Sequence, residues 1–265
     1  MNGERAVMSV TYPTKIILAY RSGGRCALPD CGKELSINNT DGDPTNLGDA
    51  AHIAGEHDGK NKANKKSARY DPGMTDEQRN HYNNLIYLCA TCHRRIDAIP
   101  QGEKDYTVER LQTLKAKHEQ KVREALADAF DHVGFPELEE ATQWIMQVNP
   151  QSQEDGFSLI PPEDKLKKND LGSVSRRTIT MGLSVSHEVR NFVQSVAQID
   201  ADFPERMKSG FLTEYFRLRH QGHTGDDLFD LMCEFASRRF RKHRDKAAGV
   251  AVLVYLFEVC EVFEK

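Results

Sequence analysis

The sequence predicts an α+β chain: a small, loop-rich N-terminal domain stapled at cysteine pairs, followed by an all-α C-terminal domain. Three observations carry this. Four of the six cysteines form two close pairs, Cys26-x4-Cys31 and Cys89-x2-Cys92. Residues 1 to about 105 are rich in Gly, Asn, Asp and His, with apolar residues in short clusters. From residue 107 onward, apolar residues recur mostly at steps of three and four, the period of amphipathic helices. With 265 residues, 38% hydrophobic and 29% charged, the chain can bury a sizeable core, and wholesale disorder is excluded.

Each element has its own signal. Thr14 to Tyr20 reads as a short helix. Asp49 to Ala54 and Leu85 to Cys89 have the length and bounding turn residues of short strands. Thr75 to Tyr82 reads as a helix, with Asp76 and Glu77 placed where a helix start favours acids. Val108, Leu111, Leu114, His118, Val122, Leu126 and Ala129 mark a long amphipathic helix, and Glu137 to Val148 a second. From Asn149-Pro150 to near Ser175 the chain is polar without a sustained apolar period and reads as a linker. Helical faces follow at Val189, Phe192, Val193, Val196 and Ile199, at Met207, Phe211, Tyr215 and Leu218, and at Leu228, Leu231, Met232 and Phe235. Gly222 suits a helix stop and Thr224 a helix start. The last helix, Lys246 to Glu264, is apolar almost all round for three turns, so it must be enclosed by other helices or by a partner. The domain boundaries are 1–130, a helix and polar linker over 131–175, and 176–265.

Charge and hydropathy narrow the setting. The longest stretch free of charged and strongly polar side chains, Ala247 to Phe257, is 11 residues, short of the roughly 20 a membrane helix needs. The start, Met1-Asn2-Gly3-Glu4-Arg5, has no apolar signal-peptide stretch, which predicts a cytoplasmic chain with reduced thiols. The net charge of −4 hides a split: 19 Lys+Arg against 18 Asp+Glu through residue 130, and 17 against 22 beyond it. Only the first part suits a polyanion. Its cations cluster at Lys60, Lys62, Lys65, Lys66 and Arg69, which would give phosphate contacts without sequence information. A mobile solvated loop is the bland alternative for that run.

Two thiol pairs on tight turns can close a tetrahedral zinc site, with Cys26, Cys31, Cys89 and Cys92 as ligands. A disulfide pair or chance spacing is the alternative. Cys233 and Cys260 lie on apolar helix faces and read as core thiols. The histidines at 187, 220, 223 and 243 have no ligand spacing and read as ordinary core or surface residues. The two pairs are separated by 57 residues, so something is inserted between the knuckles. The insertion carries Ala50-Ala51-His52-Ile53, the basic run, and Asn83-Asn84-Leu85-Ile86-Tyr87-Leu88-Cys89, and the second knuckle continues as Cys92-His93-Arg94-Arg95-Ile96-Asp97.

His52, Asn84 and His93 in this order, with Asn84 five residues before Cys89 and His93 directly after Cys92, resemble the HNH endonucleases of the ββα-metal fold, best their zinc-knuckle subgroup. The resemblance covers roughly residues 10 to 120. It implies two antiparallel strands and one helix around a site that hydrolyses DNA phosphodiester bonds. His52 would take a proton from water, and Asn84 would fix the hairpin and orient His52. His93 and Asp97, four apart on one helix face, would grip magnesium or manganese. Many family members have Asp or His just before the first motif histidine, where this chain has Ala51. Either His93 and Asp97 suffice with water and substrate oxygens, or His52 binds metal and another group, Asp49 or His57, changes role.

The strings Leu183-Ser184-Val185 to Phe192, Phe211 to Phe216, Gly225 to Phe229 and Tyr255 to Glu264 are similar to the C-terminal domain of effectors in ABC-three-component, Lamassu-like antiphage systems. That resemblance implies docking onto an SMC-like ABC ATPase and its middle subunit, which restrain the nuclease until phage DNA is sensed. DNA is the other expected partner, a homo-oligomer is compatible with the helical domain, and no membrane partner is expected. Two other readings stay open: a catalytically inactive zinc-stapled DNA-binding module with a helical oligomerisation domain, and an HNH effector triggered by a nucleotide messenger.

Overall fold

The computed structural model describes residues 9–38, 44–59, 66–147, 162–259 and 262–263. Lys60, Lys62, Lys65, Cys260, most of the expected linker and the first eight residues lie outside them. The chain is mostly helical and divides into two compact units, Met1–Arg123 and Glu124–Lys265. The division falls inside one long helix. No helix among the described residues is long and apolar enough to cross a membrane.

The first unit opens with α1 (Tyr12–Arg21), whose start is set by the Thr11 hydroxyl accepting from the Thr14 N–H at 3.3 Å, with Pro13 in the first turn. Two small antiparallel sheets follow. The first pairs β1 (Ser36–Asn38) with β2 (Pro44–Asn46). The second pairs β3 (Asp49–His52) with β4 (Leu85–Leu88), in a register that sets Asp49 opposite Leu88 and His52 opposite Leu85. Between β3 and β4 lie the insertion and the short α2 (Asp76–Asn80), which begins with a capping box between Thr75 and Gln78. A 3-10 turn over Tyr82–Asn84 leads into β4.

All four β4 residues are buried, which is why that strand reads as an unbroken apolar run. Its chain continues directly into α3 (Ala90–Asp97), and Cys89 itself caps that helix, its Sγ accepting from the Cys92 N–H. Leu18, Ile53, Leu85, Ile86, Leu88, Ile96 and Leu111 form the core between α1, the hairpin, α3 and the long helix that begins at Val108. Gly48 is required where β2 turns into β3, because a Cβ there would sit 2.2 Å from the Tyr87 ring. After α4 (Gln101–Asp105), α5 (Val108–Phe130) is tied to this unit by a buried cluster: Tyr82 donates to Glu119 at 2.6 Å, Lys115 pairs with Glu119 at 2.8 Å, and the Lys115 ammonium lies 3.6 Å from the Tyr82 ring centre.

The second unit holds α6 (Phe135–Met146), α7 (Pro162–Lys168), α8 (Ser173–Ser184), α9 (Ser186–Ala197), α10 (Phe203–His220), α11 (Gly225–Ser237) and α12 (His243–Glu258). The all-round apolar helix is enclosed within this unit: α12 is buried from Ala247 to Val254 and is packed by α6, α8, α9 and α11. Gly249 lets α11 approach closely, since a Cβ there would lie 1.9 Å from the Ala236 carbonyl oxygen. The apolar faces of α10 and α11 are buried as expected.

Three expectations are corrected. The segment expected to be linker contains α7, whose Lys165 is fully buried and donates to the Phe257 carbonyl at 2.9 Å. A polar composition hid a lysine whose stem packs in the core and whose ammonium finds a carbonyl. The helix expected at Glu137 to Val148 belongs to the bundle, packing against α12 and α10. Ile199 is 92% exposed, because α9 ends at Ala197 and the face does not continue to it.

Candidate active site

The two thiol pairs meet. The sulfurs of Cys26, Cys31, Cys89 and Cys92 all lie within 4.8 Å of one another, the arrangement of a four-thiolate metal site. The four cysteines are free of disulfides, and Cys31 and Cys89 sulfurs stand 3.9 Å apart. Backbone N–H groups already point at sulfur: Cys89 N–H at Cys26 Sγ and Cys92 N–H at Cys89 Sγ, both at 3.4 Å. Burial pushes the Cys89 thiol up, but the Cys92 N–H and the neighbouring thiols outweigh it and bring it down to about 7. Burial drives Cys92 and Cys26 the other way. Four soft donors with one thiolate already favoured fit a borderline-soft cation such as zinc.

Next to this cluster, α3 carries His93 and Asp97 one turn apart, with His93 Nε2 3.2 Å from Asp97 Oδ2. The opposite ring nitrogen, His93 Nδ1, lies 3.1 Å from Asp49 Oδ2. A carboxylate accepting from Nδ1–H leaves Nε2 as the nitrogen that can meet a metal, the arrangement in which an outer carboxylate orients a histidine ligand. Asp49 and Ala51 are two apart on β3 and so share one strand face. Ala51 is fully buried; the carboxylate lacking at that position is supplied one step earlier on the same face, as the partner of His93. His57 plays no such part: it pairs with Glu56 at 3.6 Å and its N–H donates to Ser67.

Hydrogen bonding to Asp97 raises the His93 pKa, with Asp49 adding to it against the opposing effect of burial. Burial would push the Asp97 carboxyl up, but His93 and Arg69 hold it below the usual carboxylate range. With His93 neutral, the group Asp49, Asp97 and Arg69 carries one net negative charge, which suits a hard divalent cation at Nε2 and Oδ2. Those two donors leave the remaining positions to water and phosphate oxygens.

Arg69 differs from its expected role. Its side chain is 3% exposed and is spent inside the protein: Nε donates to the Ile53 carbonyl at 2.6 Å, one terminal nitrogen to Ile96 at 2.5 Å, and the other to Asp97 Oδ1 at 2.7 Å and the His52 carbonyl at 3.4 Å. Its φ of 57° is unusual for a residue with a side chain and is held by these bonds together with the Arg69 N–H to Glu103. A guanidinium so enclosed cannot contact a phosphate backbone. It instead sets the His52 carbonyl and the Asp97 carboxylate within about 6 Å of each other, since one nitrogen touches both. Of the basic run, Lys66 is the exposed member among the described residues.

His52 ends β3, and its Nε2 lies 3.1 Å from Asn80 Oδ1. Asn84 is buried, and its amide is used on the backbone: Oδ1 accepts from the Ala54 N–H at 2.9 Å, and Nδ2 donates to the Ala54 carbonyl at 3.0 Å and the Arg79 carbonyl at 2.9 Å. It therefore clamps the segment after β3 to the turn before β4, and the side chain bonded to the His52 ring is Asn80. Two residues passed over in the sequence complete the frame. Arg79 is buried, donates to the carbonyls of Gly55, Asp71 and Met74, and stacks 4.2 Å over Tyr70. Asn80 is separated from its partner by 28 residues, beyond any local motif.

No curated protein matches the chain. Residues 26–99, from the first cysteine of the first pair to just past α3, match the family model of the HNH endonucleases, and nuclease is the reading of this segment at the family level.

Proposed function

We propose that the chain is a metal-dependent HNH endonuclease acting on DNA. The observations that carry this are the HNH endonuclease match over residues 26–99 and the pairing of His93 with Asp97 on α3, in a ββα unit whose four cysteines come together. In this reading Cys26, Cys31, Cys89 and Cys92 hold zinc, which staples the start of α3 to the turn after α1. His93 and Asp97 would hold magnesium or manganese, which would supply charge stabilisation to the phosphate in the transition state. His52 removes a proton from water, the water oxygen bonds to phosphorus, and the opposite phosphorus–oxygen bond breaks in line. Asp49 orients His93, and Asn84 keeps the hairpin in register. Lys60, Lys62, Lys65 and Lys66 draw the phosphate backbone to the site.

The inactive-module reading rested on Ala51. Asp49 beside His93 restores a carboxylate to that face, which favours an active enzyme.

For the helical unit we propose the role of effector domain in a cytoplasmic antiphage complex, docking onto an SMC-like ABC ATPase and a middle subunit that restrain the nuclease. The support is the similarity of the α9, α10, α11 and α12 strings to Lamassu-like effectors. A cavity of about 170 Å³ in this unit, lined by Lys168, Arg219, Thr224 and Phe263 among others, is smaller than the roughly 300 Å³ at which small-molecule sites begin.

Plasmid nicking by the full chain tests the enzyme. Magnesium or manganese is expected to support nicking, and His52→Ala to lower it by about a hundredfold or more. Undiminished nicking by His52→Ala contradicts the assignment of the base. Copurification with ATPase subunits tests the effector role.

A further inference from the structure

We propose that Asn80 is a positioning residue that sets the tautomer of His52 and thereby assigns Nδ1 as the nitrogen that takes the proton. This rests on the reading of His52 as the base. Asn80 closes α2, and its Nδ2 donates to the Asp76 carbonyl at 3.1 Å. A carbonyl oxygen only accepts, so that bond decides which end of the amide is which, and Oδ1 is the atom turned to His52 Nε2. Oδ1 also only accepts. Nε2 must therefore carry hydrogen, and in the neutral ring the lone pair belongs to Nδ1.

The proton balance follows. As the water oxygen bonds to phosphorus, its O–H bond breaks and the proton goes to Nδ1, giving an imidazolium. The Nε2–H bond to the amide oxygen then faces a cation and strengthens, while the amide itself takes no charge. Asn84 cannot serve here, because its amide is spent on Ala54 and Arg79. Arg69 touches the carbonyl of His52 and leaves the ring to Asn80.

The platform is firm. The capping box of Thr75 and Gln78 fixes the start of α2, and the buried Arg79 guanidinium binds its end to the insertion at Gly55, Asp71 and Met74. Asn80 is thus presented by an anchored helix end, as a group that orients a catalytic histidine needs to be.

The test uses the full chain. Nitrogen-15 spectra of the His52 ring in the wild type are combined with plasmid nicking across the pH range of histidine titration for wild type, Asn80→Ala, Asn80→Asp and His52→Ala. The expected spectrum shows hydrogen on Nε2. Asn80→Ala is expected to lower kcat roughly tenfold or more with KM little changed. Asn80→Asp keeps an acceptor, so it recovers most of the rate at alkaline pH, with the acid limb displaced upward because a carboxylate holds the imidazolium. Hydrogen on Nδ1 in an enzyme that still requires His52 overturns the role of Asn80 alone. So does an equal loss in both Asn80 variants at every pH with the acid limb unmoved. Full nicking by His52→Ala removes the base assignment and the role of Asn80 with it, whatever the tautomer.

Discussion

His93 sits between two carboxylates, Asp97 at Nε2 and Asp49 at Nδ1, and this makes it a proton site as well as the proposed metal ligand. Its pKa is raised in the fold, first by Asp97. The stabilisation from this pairing is therefore fully present below the ordinary histidine pKa of about 6.5 and is lost as pH rises through the higher folded value. In protein that keeps the four-cysteine site loaded but is free of magnesium and manganese, His93→Gln is expected to lower Tm most at mildly acidic pH and progressively less above it; a cost independent of pH contradicts the pairing. A divalent cation must displace the Nε2 proton, so its affinity weakens on acidification. At this scale the four-residue spacing of His93 and Asp97 made their pairing legible, because α3 is one short local helix, whereas spacing alone gave the His52 ring to Asn84 and not to Asn80, its partner in the fold. Arg69 was not legible, since a count of charges cannot separate a guanidinium enclosed by carbonyls from one facing solvent. Asp49 was half legible: the two-residue period of a strand puts it on the face of Ala51, but only α3 packing against β3 shows that it meets His93.

The elements depend on two close approaches that a sequence does not display. At Gly48 an added Cβ meets the Tyr87 ring at 2.2 Å, in the strand that leads to Cys89. At Gly249 it meets the Ala236 carbonyl at 1.9 Å, where α11 and α12 cross. Gly48→Ala and Gly249→Ala are each expected to destabilise their own unit by about 2 kcal/mol, from overpacking against groups that cannot step aside. Thermal unfolding checks this, and an unchanged Tm in either variant contradicts the packing described. Periodicity located α5, α6, α10, α11 and α12 because each has one apolar stripe or is apolar all round. It failed at α7, where a seven-residue helix buries a lysine and offers no stripe to detect.

The whole molecule joins two units with different sources of stability. The first is small and closes four cysteines around one point, from the turn after α1 and from the start of α3. The second encloses α12 in an apolar bundle, with no comparable ligand cluster among its described residues. Removing the metal with a strong chelator is expected to unfold the first unit and abolish nicking while most of the helical circular dichroism persists. A full chain that keeps both folded units after zinc removal contradicts the staple.

In the proposed reaction the β3 histidine and the α3 pair act on one phosphate in one step. The most direct measurement is a double-mutant cycle on plasmid nicking by the full chain, with His52→Ala, His93→Gln and the two combined. Residues serving a single step are grossly non-additive, so the combined variant is expected to be about as slow as the slower single one. Rates that fall by the product of the two separate losses, or nicking that survives the double substitution, contradict it.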